Sequence, residues 1–287
     1  MLALTIARLQ LQELLRRRLF LVLLLLTVVV ISLTTWGFSR IPSLGDSRGR
    51  PMTAVEIAAI ASQFLILVMF MFSFVLAFSA VFAASPAISA EVESGITLAM
   101  LARPITRLEY VVGKWLGLIA TVLIYAIPAA TVQMVLVQIV VGYSAPHPIE
   151  FLAFVIGEAI VLVTLSLLLS TRFAGMVGGV TGLILWGLAW MGGIVGGIGL
   201  VFENATLTHV GTASKLILPT DGLWRGAVWS LEPASLIAAS RAAGAAAAAA
   251  NPFFAADPPP PAYVGWCVIW ITAMLAFATW SFMRKEL

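Results

Sequence analysis

Residues 19–38 read LFLVLLLLTVVVISLTTWGF, twenty positions without a charged side chain. As a helix at ~1.5 Å per residue the run is ~30 Å long, the thickness of a bilayer's hydrocarbon core. It is apolar all round, so it has no polar face to offer water. The run exceeds the h-region of a signal peptide. It is closed by Thr34-Thr35-Trp36-Gly37-Phe38 rather than a small-residue cleavage site, and so reads as an uncleaved membrane anchor.

Five further runs repeat the pattern, at residues 57–84, 115–141, 151–171, 176–201 and 263–282. Only helices and closed barrels satisfy their backbone in lipid, and these unbroken runs lack the alternation of barrel strands. The expected fold class is therefore all-α, a polytopic membrane protein with six transmembrane helices. Composition agrees: 61% of the 287 residues are hydrophobic and 10% are charged, against ~45–50% and ~25% in soluble domains. Mean hydropathy is +1.07. That excludes a soluble enzyme and a disordered chain. The net charge of +3 belongs with membrane orientation rather than nucleic acid. One cysteine, Cys267, and two distant histidines, His147 and His209, give neither an intrachain disulfide nor zinc-ligand spacing.

Orientation follows the cations. With both termini on one side, that side holds Arg8, Arg16, Arg17, Arg18, Arg103, Arg107, Lys114, Arg172, Arg284 and Lys285. The other holds Arg40, Arg48, Arg50, Lys215, Arg225 and Arg241. The positive-inside rule then puts both termini in the cytoplasm of a cell-membrane protein. Trp36, Trp115, Trp266 and Trp280 fall at span ends, as interfacial anchors do.

Residues 1–18 carry Leu4, Ala7, Leu11, Leu14 and Leu15 at helical spacing, with Arg8, Gln12, Glu13, Arg16 and Arg17 off that stripe. The pattern predicts an amphipathic helix in the headgroup plane. Residues 85–114, SPAISAEVESGITLAMLARPITRLEYVVGK, connect the second and third spans. Pro104 breaks any helix there, and Thr106 with Glu109 three residues on forms a capping-box pattern for a restart. The expectation is a rigid helix–break–helix corner, charged and partly apolar, suited to docking a protein.

The run Glu91-x-Glu93-Ser94-Gly95, then Leu101-Ala102-x-Pro104-Ile105-Thr106-Arg107, Tyr110 and Gly113-Lys114, resembles the signature of type-2 ABC exporter permeases. The likeness covers nearly the whole chain, and within the family the chain is similar to the permease associated with nitrous-oxide-reductase maturation. Ile96 departs from the pattern where many members have threonine. The resemblance implies a transmembrane subunit that dimerises and binds two ABC ATPase subunits at the cytoplasmic face. Residues 85–114 would be the cytoplasmic coupling segment. By position, the ATPase-coupling candidates are Glu91, Glu93, Gly95, Arg103, Pro104, Arg107, Gly113 and Lys114. The chain has no G-x-x-x-x-G-K-[ST] loop of its own. ATP and magnesium would sit on the partner, and no catalytic residue is expected here.

Three features lie within the spans. Gly178, Gly182, Gly192, Gly193, Gly196 and Gly197 give small-xxx-small spacing, for packing within the bundle or for a dimer interface. Glu158 is a carboxylate in a span, costing roughly 2.5–3.5 kcal/mol on insertion scales, so it should face protein or water. Pro128 predicts a kink. Residues 202–262 read as an external loop, too long for a simple hairpin. Within it Thr220 or Asp221 could cap a short helix, and Trp224 and Trp229 could rest on the outer leaflet or roof an exit. The reading is a permease subunit of an ATP-driven exporter. The alternatives are an ion-coupled secondary transporter, for which Glu158 is the sole candidate coupling residue, and a non-transporting membrane scaffold.

Overall fold

The computed structural model describes residues 2–16, 18–43, 50–101, 105–243 and 251–285. Among these, the regular elements are helices. α1 (Leu2–Arg16) and α2 (Arg18–Phe38) follow one another, and a short turn at Ile41–Ser43 precedes α3 (Ala54–Ala84). α4 (Pro86–Glu93) and α5 (Ile96–Leu101) lead to α6 (Arg107–Val141), α7 (Pro148–Ser170) and α8 (Gly175–Val201). α9 (Ala205–Ile217), α10 (Thr220–Leu231) and α11 (Ala234–Ala243) precede the last long helix, α12 (Pro261–Met283). Among the described residues, six helices are long and apolar enough to cross a membrane: α2, α3, α6, α7, α8 and α12.

Capping boxes start the two longest helices. Thr53 Oγ1 accepts from the Glu56 amide while Glu56 accepts from the Thr53 amide, which opens α3. The expected box at Thr106 and Glu109 forms in the same way at the start of α6. α6 therefore begins at Arg107, earlier than the 115–141 span read from hydropathy, and runs unbroken through Pro128. With 31 and 35 residues, α3 and α6 reach ~46 Å and ~52 Å, well past a ~30 Å core.

α7 is the axis of the bundle, packing against α3, α6, α8, α10 and α12. α2 is its outermost span; it rests on α6, with Thr27 bonded to Tyr125 (2.8 Å) and Thr34 to Gln133 (3.0 Å). One end of the bundle gathers α1, the start of α6, the end of α7 and the end of α12, and is called the terminal face below. There Arg107 Nη1 donates to the carbonyls of Phe282, Met283 and Lys285 at 2.8–2.9 Å, closing α12's last turn. At the opposite face Tyr143, just after α6, donates to the Leu231 carbonyl, and the His147 ring stacks on Trp229 at 4.4 Å.

The largest departure from the sequence reading lies in residues 202–262. α9 and α10 are not a loop beyond the bundle; they fold back into it as a re-entrant hairpin. α9 runs antiparallel to α8: Gly199 meets Thr208, Gly196 meets Gly211 and Gly192 meets Ser214. α10 then climbs back along α7, with Leu223 against Gly157 and Phe154 against Gly226. The hairpin tip lies level with Gly192, nine residues or ~13 Å inside the end of α8. Neither Thr220 nor Asp221 caps α10; both sit in its first turn behind Pro219. Trp224 is buried against Phe70 and donates to the Pro252 carbonyl (3.0 Å) rather than meeting a leaflet.

A helix end at that depth leaves carbonyls that water cannot reach, and each orphan is costly in lipid. α12 answers them in order. Tyr263 OH donates to Lys215 O (3.4 Å), Trp266 Nε1 to Leu216 O (3.0 Å) and Trp270 Nε1 to Ile217 O (2.7 Å). The spacing of three and four residues puts the three donors on one face of α12. Trp266 is thus a hydrogen-bond donor to the hairpin. Trp115 likewise bonds Thr164 Oγ1 (2.9 Å) between two spans. Trp36 and Trp280 remain exposed, beneath the guanidiniums of Arg40 and Arg284.

Candidate functional site

The corner after α3 begins at Ser85, which keeps helical backbone angles, and turns because Pro86 has no N–H to continue the ladder. Ser85 makes no side-chain cap. The orphan amides at the start of α4 find their acceptor on another helix: Ser170 Oγ, the last residue of α7, takes Ile88 N (3.0 Å) and Ser89 N (3.1 Å). Pro86 also abuts Gly175 at the start of α8. α4 is therefore pinned across the junction of α7 and α8.

Its far end is tied to α6 and α1 through Glu91. Tyr110 OH donates to Glu91 Oε2 (2.6 Å), and the Lys114 ammonium pairs with Oε1. Lys114 Nζ also donates to Gln10 Oε1 of α1 (2.6 Å). Lys114 is 4% exposed, so its charge is held inside a three-helix knot rather than snorkelling to headgroups. Tyr110 is fully buried and stacks on Phe282 at 5.3 Å, which carries the knot on to α12.

α1 reaches Lys114 because α6 is bare of side chains beside it. A Cβ on Gly113 would lie 2.7 Å from Ala3 O and Ile6 Cβ; one on Gly117 would lie 2.7 Å from Ala7 O and Gln10 Cβ. A four-residue step on α6 matches a four-residue step on α1, so the two helices run in the same direction there. The face α1 buries is Ile6, Gln10 and Leu14, rotated from the leucine stripe read in the sequence. Leu4 and Leu9 are exposed together with Arg8.

The predicted coupling residues thus separate. Glu91, Arg107, Gly113 and Lys114 converge on the knot or its junction with α12. Glu93 is exposed. Gly95 has nothing within 4 Å of a built Cβ, yet its φ is +74°; it supplies the left-handed turn between α4 and α5 rather than room. Arg103 and Pro104 lie outside the described residues. Ile96 and Leu108 are exposed apolar side chains.

The predicted span features go to internal packing. Gly178 and Gly182 face Leu169 of α7; Gly192 and Gly196 receive α9; at Gly193 a Cβ would collide with the Asp221 carboxylate. Gly197 is buried in the same helix. Glu158 is buried with both oxygens bonded, one to Ser73 Oγ (2.8 Å) and one to Trp186 Nε1 (3.1 Å).

Three parts of the site escaped the sequence reading. Gln10 carried a readable signal, a polar residue four positions from each of two apolar neighbours. Gly113-x-x-x-Gly117 is small-xxx-small spacing in plain view. Ser170 had no local signal, since its role exists only where α4 crosses α7. A second charge cluster was also missed: Asp221, buried on the hairpin, pairs with Lys215 (3.6 Å) and Arg225 (3.3 Å). The Glu91–Lys114–Gln10 knot and its neighbours fix the position of two short helices relative to four spans. The chain matches the family described as ABC-2 family transporter protein over residues 4–287. No curated protein matches it.

Proposed function

Because the chain belongs to the ABC-2 transporter family, we propose that it is the permease subunit of an ATP-driven exporter, working as a homodimer with two separate ATPase subunits. The observation that carries this reading is the Glu91–Lys114–Gln10 knot. A force applied to α4 at the terminal face is passed through one carboxylate to α6 and α1, through Ser170 to α7, and through Tyr110 to α12. That is what a subunit without its own nucleotide site needs in order to be moved from outside.

The terminal face is the cytoplasmic one on this reading, because it holds the arginine-rich side of the chain. ATP and magnesium act on the partner. The exposed Glu93, Ile96 and Leu108, with Leu4 and Leu9 of α1, offer a mixed charged and apolar surface to the ATPase. Closure of the two ATPases then tilts α4 and, with it, the spans that line a path at the dimer axis.

The test is purification of the native assembly from membranes. An ATPase subunit should co-purify, and Glu91→Ala should uncouple ATP hydrolysis from transport while the complex still assembles. A lone chain that transports at full rate without nucleotide ends the proposal.

A further inference from the structure

α2 leaves a slot against the rest of the bundle. Two cavities, of about 380 Å³ and 100 Å³, lie end to end between α2, α3 and α6 and share Leu26 and Tyr125. The slot starts at Leu14, Phe20 and Leu118 near the terminal face and ends at Ile31, Val68 and Gln133. Along α6 it follows fifteen residues, about 22 Å at ~1.5 Å each. An elongated apolar slot of this length matches one extended hydrocarbon chain.

The walls are apolar apart from Ser79, Thr121, the bonded Thr27–Tyr125 pair and Gln133. The outer rim is open, since Val22 and Leu26 are 62% and 50% exposed. At the mouth the character changes. Arg16 and Arg18, both exposed, flank the passage from α1 to α2 between the lining residues Leu14 and Phe20. A slot for a chain with guanidiniums at one end is complementary to an anionic amphiphile.

We propose that the slot between α2, α3 and α6 binds one acyl chain of an anionic phospholipid from the leaflet at the terminal face, with Arg16 and Arg18 holding its phosphate. This lipid is the packing partner that α2 lacks on its α3 side. It also braces the junction of α1 and α2, next to the Leu14 end of the buried α1 face. The inference goes beyond the transport reading and needs neither nucleotide nor an ATPase for its test.

The full chain is placed in phosphatidylcholine nanodiscs with phosphatidylglycerol bearing a diazirine on one acyl chain, irradiated and mapped by peptide. The label should concentrate on α2, α3 and α6 over the lipid-facing surfaces of α8 and α12. A phosphatidylcholine probe with the same chain should label the slot less. Each arginine near a membrane surface is worth about fivefold in anionic-lipid binding, so the Arg16→Gln/Arg18→Gln pair should cut the preference by about tenfold or more. Val22→Trp fills the slot from an exposed rim position that the fold does not need buried, and should lower slot labelling severalfold. Labelling spread evenly over α8 and α12, equal labelling by both headgroups, or labelling unchanged by Val22→Trp overturns the proposal. So does efficient Leu26→Cys crosslinking between two copies, which would mean that protein covers the slot.

Discussion

Lys114 and Asp221 are both buried charges set beside a glycine on a neighbouring or adjoining helix face, one where α1 meets α6 and one where the hairpin meets α8. Their settings differ. Lys114 lies at the water boundary, and its partner Glu91 keeps about a fifth of its side chain exposed. Asp221 lies ~12 Å inside the end of α8, and the end of α9 beside it is closed by donors from α12. At the boundary a polar knot can stay partly open and transmit force. At depth polar groups are met mostly from within the chain, by backbone contact and aromatic donors, though Thr220 Oγ1 and one oxygen of Asp221 have no hydrogen-bond partner.

Variants can break or sharpen that contrast. The largest loss is expected at Gly211→Ala, where a Cβ would meet Gly196 Cα at 2.4 Å and neither backbone can yield; overpacking of this kind costs about 3 kcal/mol. Thermal unfolding of the purified chain reads it, and Gly187→Ala, a position with open space around it, is the neutral control. Equal effects of the two would mean that the hairpin does not lie against α8. Next come Glu91→Gln and Lys114→Met, each about 2 kcal/mol, because each leaves a partner unmatched in a mostly buried pair. The double variant should recover about 1 kcal/mol relative to the sum of the singles; strict additivity would remove the knot as a unit.

Trp270→Phe should cost about 1 kcal/mol by orphaning the Ile217 carbonyl. Trp266→Phe should cost about as much, by orphaning the Leu216 carbonyl. Gly95→Ala is expected to cost about 1 kcal/mol from backbone strain alone, with Gly95→Asn milder; a cost as large as that of Gly211→Ala would point to packing instead.

At neutral pH the smallest change is expected at Glu232, which follows α10 and accepts from Gln63. Burial pushes its carboxyl up from 4.5 to about 7. The folded chain therefore holds this proton more tightly than the unfolded one, so the contribution to stability falls as pH rises from about 4.5 to about 7 and is flat above. Glu232→Gln keeps an acceptor for Gln63 and should remove that slope. Unfolding midpoints of both chains at pH 5 and pH 8 decide it; parallel shifts would refute the assignment.

Hydropathy identified the spans because some twenty predominantly apolar residues have one stable setting in lipid, whatever surrounds them. The Thr106–Glu109 box was equally legible, being a local hydrogen-bond pattern. α9 and α10 were not. Thr208, Lys215, Asp221 and Arg225 make the stretch look like something for water. What permits it at depth is Tyr263, Trp266 and Trp270, some fifty residues on. The burial of α1 was misread for a related reason. Its leucines mark an amphipathic helix, but the face it buries was chosen by the bare strip at Gly113 and Gly117.

From its sequence alone, this chain was bound to be a six-span helical membrane protein with a capped helix start at Thr106 before the third span, since length, apolarity and local capping need no partner. Which charges lie inside the bundle was decided only in three dimensions. A buried Lys114 or Asp221 is tolerable only where helices distant in sequence bring an opposite charge, a free carbonyl or a missing Cβ to the same point.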